Sequence, residues 1–354
     1  MFVRLFDALG PLFVSLVGVS RGEGVRRRTM GVCEIGRIGG DLMGVLLIAM
    51  GLGVALGATV FPERLKGANS KLTLITTGLL IFSMGVSLGG RPSFLEELAT
   101  IGMSSLLFCL VPIVCSVAAV YLLTRVLMAD ITKRHAEDAR QREAGEGSSS
   151  KDEAIMIGVA VGALTLGTAY GLSGVRVFLL DTLSVNSDYI LYALMFFVGI
   201  SVGGSRGLLA RIREYGLRVL IIPAGIIAGS IVGGLICAVI LDMHWAVGAA
   251  VASGLGWYSL SGPMLSGIVS AQVGSITFLA NLLREIVSFF TIPWISRHLN
   301  YPTCIAPAAA TSEDTTLPML IRCTNAETVV LAVVNGILCS LAVPVLIEFF
   351  HAFM

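Results

Sequence analysis

The sequence predicts an all-α, polytopic integral membrane protein, and three observations carry that reading. Of 354 residues, 55% are hydrophobic and only 13% charged, where a soluble domain of this size is about a quarter charged. The mean hydropathy is +0.89. The apolar residues come in blocks of about 20, enough to cross ~30 Å of hydrocarbon at ~1.5 Å per residue. The net charge of +1 says nothing about nucleic acid, and no basic patch lies beside aromatic rows; the expected partner is the lipid bilayer, with no nucleic acid. The seven cysteines show no metal-ligand spacing and sit mostly inside apolar runs, where cysteine is a small packing residue. No cofactor or metal is predicted.

Eight spans are predicted, at 42–60, 72–90, 101–124, 154–174, 188–204, 217–241, 274–296 and 327–350. Two further segments differ from them. Residues 246–270 (AVGAAVASGLGWYSLSGPMLSGIVS) and 303–323 are long enough to enter the bilayer, yet rich in glycine, serine, threonine or proline. Such backbone is tolerated at membrane depth only when it is buried in protein or lines a wet cavity. Both are predicted to be re-entrant or broken helices, the alternative for 246–270 being an ordinary ninth span.

Orientation follows from Lys and Arg in the short loops. Loops 61–71, 125–153 and 205–218 hold thirteen of them, while the alternate loops hold only Arg91 and Arg176. The first set is predicted to be cytoplasmic, so both ends of the core face outside. Residues 1–40, with Arg21, Arg26, Arg27, Arg28 and Arg37, conflict with that topology; translation from Met30 or Met43 removes most of the conflict. The expected organisation is an N-terminal extension (1–40) and a transporter membrane domain (41–353). Within the domain lie a first repeat (42–124), a cytoplasmic linker (125–153), a second repeat (154–241) and an acidic region (246–353). Segment 129–153 is the only long charged tract and reads as solvated, His135 included.

The repeat is visible as FSMGVSLGG (82–90) and FFVGISVGG (196–204), offset by 114, with Pro112 roughly matching Pro223. Three spans per unit is an odd number, so the second copy is expected to be inverted, and transporters of this build hold their site near the midplane between repeats.

Carboxylates in this setting carry the chemistry. Glu285 lies midway along the apolar run 274–296, and Asp314, beside Glu313, lies in CIAPAAATSEDTTLPMLI (304–321). A carboxylate at membrane depth costs several kcal/mol unless protonated, paired or wetted. Residues three or four apart share a helix face, so Asn281, Glu285 and Ser288 form one polar stripe, with Arg284 turned ~100° away toward another partner. Alternatively the stripe is a polar knot gluing helices together. In ATSEDTTLP (310–318), Thr311 followed by Asp314 reads as a capping pattern, Ser312 lies between them, and Pro318 breaks the helix. Such a break frees N–H groups for a carboxylate and carbonyls for a cation; Asp314 alternatively only caps a half-helix. In GLGWYSLSG (254–262), Trp257 and Tyr258, followed by Ser259, offer a surface for a cation or an aliphatic stem, or anchor the chain at the interface.

Three strings in this order, GLGWYSLSG (254–262), FLANLLREI (278–286) and ATSEDTTLP (310–318), together resemble the LysO-type lysine exporter family, over roughly 41–352. The first 40 residues and the long linker depart from its compact pattern. The resemblance implies a multi-pass bacterial inner-membrane protein that exports L-lysine and the toxic analogue thialysine. It places the family's two functional intramembrane acids on Glu285 and Asp314, with Asn281, Thr311, Ser312, Trp257, Tyr258 and Ser259 around them.

The physics of such an export is coherent. Lysine carries two ammonium groups and one carboxylate, and moving one net positive charge out of a negative interior costs ~2.3 kcal/mol per 100 mV. Exchange for one incoming proton cancels that charge movement, and a carboxylate that binds either a proton or an ammonium performs such exchange directly. Three other readings compete: an exporter of another cationic amino acid, diamine or metabolite; an intramembrane serine protease built on SLSG (259–262) with His298 or His351; and a passive channel or scaffold. Paired intramembrane aspartate motifs and a zinc HExxH site are absent from the sequence.

Overall fold

In a computed structural model the described residues are 45, 48–59, 61–90, 94–128, 149–173, 187–204 and 216–354, with the isolated positions 177, 180 and 182. Residues 1–44 and most of the linker, and with them the start-site reading and His135, lie outside the described residues. Twelve helices order the rest: α1 (Ile48–Thr59), α2 (Lys66–Gly89), α3 (Phe94–Leu127), α4 (Ser149–Ser173), α5 (Ser187–Gly203), α6 (Ile221–Ile240), α7 (Trp245–Ala252), α8 (Tyr258–Ile268), α9 (Ala271–His298), α10 (Ile305–Ala308), α11 (Leu317–Cys323) and α12 (Ala326–His351). Six of these stretches are long and apolar enough to cross a membrane, and α1 and α5 are shorter apolar helices. No strand occurs among the described residues. The fold is all-α and polytopic, as the composition predicts.

Close helix contacts fix the directions. A Cβ on Gly53 or Gly57 of α1 would strike the α5 backbone at Phe196 and Ile200, and one on Gly199 or Gly203 would strike α1 at Met50 and Val54. The same pattern recurs 114 positions on: Gly167 and Gly171 of α4 meet α2 at Phe82 and Val86, and Gly85 and Gly89 of α2 meet α4 at Leu164 and Thr168. Small residues let membrane helices approach closely, where dispersion replaces the missing hydrophobic drive. Each pair runs parallel, because contacts advance together along both chains. In contrast α3 and α6 run antiparallel: Gly225, Gly229 and Gly233 face Val120, Ser116 and Pro112 in reverse order. Pro112 lies mid-α3 and Pro223 in the first turn of α6; the residues that correspond in the third helices are instead Ser116 and Ser230.

Both unusual segments are broken. Residues 245–268 form α7 and α8 around a turn where Leu255 (φ 47°) and Gly256 (φ 95°) take left-handed backbone. Residues 301–323 contain two 3-10 turns, α10 and α11, and break at Ala309 (φ 51°). They meet tip to tip, Ala310 N–H donating to Leu255 O at 3.0 Å.

The end contacts show that these are hairpins, not crossings. Chain α9 runs alongside α3, with Arg284 bonded to Ser116 and Asn300 bonded to Thr124. It therefore starts at the end where α3 starts, which is also where antiparallel α6 finishes. Thus α7 leaves from that end and α8 returns to it. The second segment begins at the opposite end, at Asn300, and returns there, since Arg322 contacts Ser70 in the first turns of α2 (3.4 Å). From there α12 runs back to bring Phe350 against Trp245, ring centroids 6.4 Å apart. The two hairpins enter from opposite ends, each followed by one long helix.

Candidate functional site

Where the hairpin tips meet lies a cavity of about 210 Å³, with Ser87 and Ser187, at the ends of α2 and α5 away from the basic loops, in its wall. Its walls are Leu80, Ser83, Met84 and Ser87 from α2 and Ser187 and Leu191 from α5. Gly256–Ser259 come from the first break, Glu285 from α9, Ala310, Thr311 and Glu313–Thr315 from the second, and Ser340 from α12. Three carboxylates face it, and among the described residues no lysine, arginine or histidine lines it.

Glu285 is 1% exposed. The Thr315 hydroxyl donates to Glu285 Oε1 and lies 3.2 Å from Asp314 Oδ1, so one hydroxyl joins the two acids. Thr315 N–H also donates to Asp314 Oδ1 at 2.6 Å. Glu285 Oε2 is closed to solvent and has no hydrogen-bond partner. A buried carboxylate oxygen in that position is balanced by a proton or a cation. Glu313, whose role the sequence leaves open, is 7% exposed and turned to the cavity, where Ser340 Oγ donates to its Oε1 at 3.2 Å.

Of the residues expected at the site, Glu285, Asp314, Thr311, Trp257, Tyr258 and Ser259 line this one cavity. Tyr258 stacks edge-on against Phe278, ring centroids 5.2 Å apart. Thr311 takes no capping role: its hydroxyl donates to Ala308 O (3.0 Å), and its own carbonyl accepts from Thr316 N–H and Oγ1. Asn281 and Ser312 stand behind the wall and hold the breaks in shape. Asn281 Oδ1 accepts from Gly256 N–H (2.7 Å), and its amide donates to Thr277 O and Val251 O. Ser312 donates to Ala332 O (2.7 Å) and accepts from Asn335, whose amide also reaches Ala309 O (2.9 Å). Glu313, Thr315 and Ser340 line the cavity without having been singled out as site residues. Only the adjacency of Glu313 to Asp314 signalled any of them, because hydroxyl residues abound in membrane helices.

Arg284 faces the other way. It is 2% exposed, and its guanidinium donates to Ser116 (3.3 Å) and Ser230 (3.0 Å), the matched serines of α3 and α6. Its two other bonds go to Ala306 O and Pro307 O at the base of the second hairpin. Among the described residues no bond joins Ser259 or Ser261 to the histidines weighed with them: Ser261 donates to Trp257 O, His298 stacks on Trp294, and His351 lies 3.7 Å from Glu348.

A family model described as "Lysine exporter LysO" matches residues 161–351. The chain is 34% identical over 274 residues to the "Lysine exporter LysO" of Escherichia coli (strain K12), covering 77% of this chain and 87% of that protein. It is 36% identical over 174 residues to a "Putative lysine exporter" of Haemophilus influenzae, covering 47% of this chain and 84% of the relative. No solved structure matches. With that extent of similarity, and with the three cavity acids inside the matched region, the chain belongs to the LysO lysine exporter family.

Proposed function

We propose that this protein exports L-lysine, and its analogue thialysine, from the cytoplasm in exchange for protons, with Glu285 and Asp314 alternating between proton and substrate ammonium. The observation that carries this reading is the cavity with three carboxylates and, among the described residues, no basic side chain in its wall, one carboxylate oxygen sealed and unpartnered. Either a proton or an ammonium supplies the missing partner, and the two compete for it. The substrate carboxylate suits the start of α8, where Trp257 makes no side-chain capping bond and Ser259, beyond the N–H groups of Trp257 and Tyr258 that bond Gly254 O and Gly256 O, is a wall residue. The names of the relatives support lysine as the substrate.

Two inverted halves carry the movement in this reading. With the basic loops in the cytoplasm, the cavity faces outward. Its α2 wall, Ser83 and Ser87, corresponds at the 114-residue offset to Phe197 and Ser201 of α5, near the cytoplasmic end. There the equivalent route is bridged, Asn69 of α2 donating to Phe197 O and Ser201 Oγ, both at 2.9 Å. Exchange of these two arrangements moves access from one side to the other.

The test is proton release from acidified, inverted membrane vesicles on addition of lysine or thialysine. Wild type is expected to release protons and accumulate labelled lysine, while Glu285→Gln and Asp314→Asn do neither. Substrate-driven proton release that survives both substitutions would overturn the assignment. Uptake of a different cation with none of lysine would redirect the substrate.

A further inference from the structure

The two acids named above do not account for the whole cavity. We propose that Glu313 is a separate ammonium anchor that makes the site selective for amino acids with two ammonium groups; this rests on the export reading above. The carboxylates fall into two sets. Glu285 and Asp314 share the single hydroxyl of Thr315, which has one proton to give and serves one of them at a time. Glu313 stands apart on the bond from Ser340. Its position is rigid, because α12 comes so close at Gly336 that an added Cβ there would lie 2.5 Å from the Glu313 Cβ.

Charge counting then assigns the roles. Arg284, next in sequence to Glu285, is turned to Ser116, Ser230 and two carbonyls, and no cationic side chain of the described residues lines the cavity. Three carboxylates at this depth call for three positive charges from the occupants. A diammonium amino acid brings two ammonium groups, its own carboxylate being held apart at the start of α8 in the export reading, and one proton on the Thr315-linked pair brings the third. A neutral amino acid brings one ammonium and leaves Glu313 buried without a counter-charge. A site whose polar group is left unpaired rejects such an analogue far more strongly than a hydrophobic pocket rejects a missing methylene.

The experiment compares wild type and Glu313→Gln in proteoliposomes, with lysine and norleucine, which lacks the ε-ammonium, as probes. Glutamine keeps the shape and still accepts from Ser340. The expected result is a lysine KM raised at least about tenfold, a lysine-to-norleucine preference reduced by a similar factor, and an unchanged number of protons moved per lysine. An unchanged KM and preference would overturn the proposal and make Glu313 a structural hook for α12. Lost proton movement at unchanged KM would overturn it in favour of a second proton carrier. If Glu313→Gln does not yield a monodisperse protein, Glu313→Asp, which retracts the charge by one methylene, is expected to favour the one-carbon-longer homologue over lysine, and an unaltered length preference counts against the anchor. Wild type that moves no lysine in exchange for protons would instead sink the export reading itself.

Discussion

At the scale of single residues, the chemistry depends on which hydroxyls stand opposite which acids. Thr315 is the junction between Glu285 and Asp314. Thr315→Val, which keeps the shape and removes the hydroxyl, is expected to lower coupled proton release per lysine, whereas Thr315→Ser retains it; stopped-flow pH measurements on vesicles distinguish the two. Arg284 is the opposite case, a cation with hydrogen bonds to four separate groups. Arg284→Met leaves two hairpin carbonyls and two serines to find other partners, so it is expected to cost about 3 kcal/mol or more of stability, read as a lowered unfolding midpoint in detergent. Glu285 and Asp314 were legible in the sequence because a charge in an apolar run is conspicuous. Thr315 and Ser340 were not, because a hydroxyl in a membrane helix ordinarily bonds its own backbone, as Ser105 and Thr124 do here, and only the fold shows which ones do otherwise.

At the scale of elements, the two broken hairpins form a second repeat. Leu255 and Ala309, 54 positions apart, are both non-glycine residues with left-handed backbone. Asn281 and Asn335, also 54 apart, each reach back from the following long helix to clamp the break. Backbone groups freed inside a membrane need such partners. Asn281→Ala and Asn335→Ala are each expected to destabilise the protein by about 1–3 kcal/mol and to reduce export, the stability loss being read from thermal unfolding in detergent and the transport loss from vesicle uptake. Helical spacing placed Asn281 on the Glu285 face, and that is correct. Its side chain is nevertheless spent on Gly256, because a turn with positive φ leaves an N–H pointing at the helix behind it.

At the scale of the whole molecule, α1 on α5 and α4 on α2 are one interface used twice, with glycines at both positions of each helix. Gly85→Leu and Gly199→Leu are therefore expected to impair folding or export alike, while leucine at Gly158, where nothing lies within 4 Å of an added Cβ, is tolerated; expression and uptake assays check the contrast. If Asn69 holds the cytoplasmic side closed, Asn69→Ala is expected to raise labelling of a cysteine placed at Leu80 by an impermeant thiol reagent from the cytoplasmic face, in a background without the native cysteines.

The chain alone determined that the protein is an all-α membrane protein, where its six long and two shorter apolar helices lie and which two segments break. Hydrophobic length, lysine and arginine bias, and glycine- and proline-rich interruptions are local properties that a one-dimensional string retains. It also marked Glu285 and Asp314, since an intramembrane acid is costly wherever it sits. Only the tertiary structure decided that the hairpins enter from opposite ends and meet at Leu255 and Ala310. Only the fold turned Glu313 into the same cavity and spent Asn281 and Ser312 on the scaffold. Those outcomes depend on contacts between segments distant in sequence, where satisfying the freed backbone groups selects one partner among many equivalent polar residues.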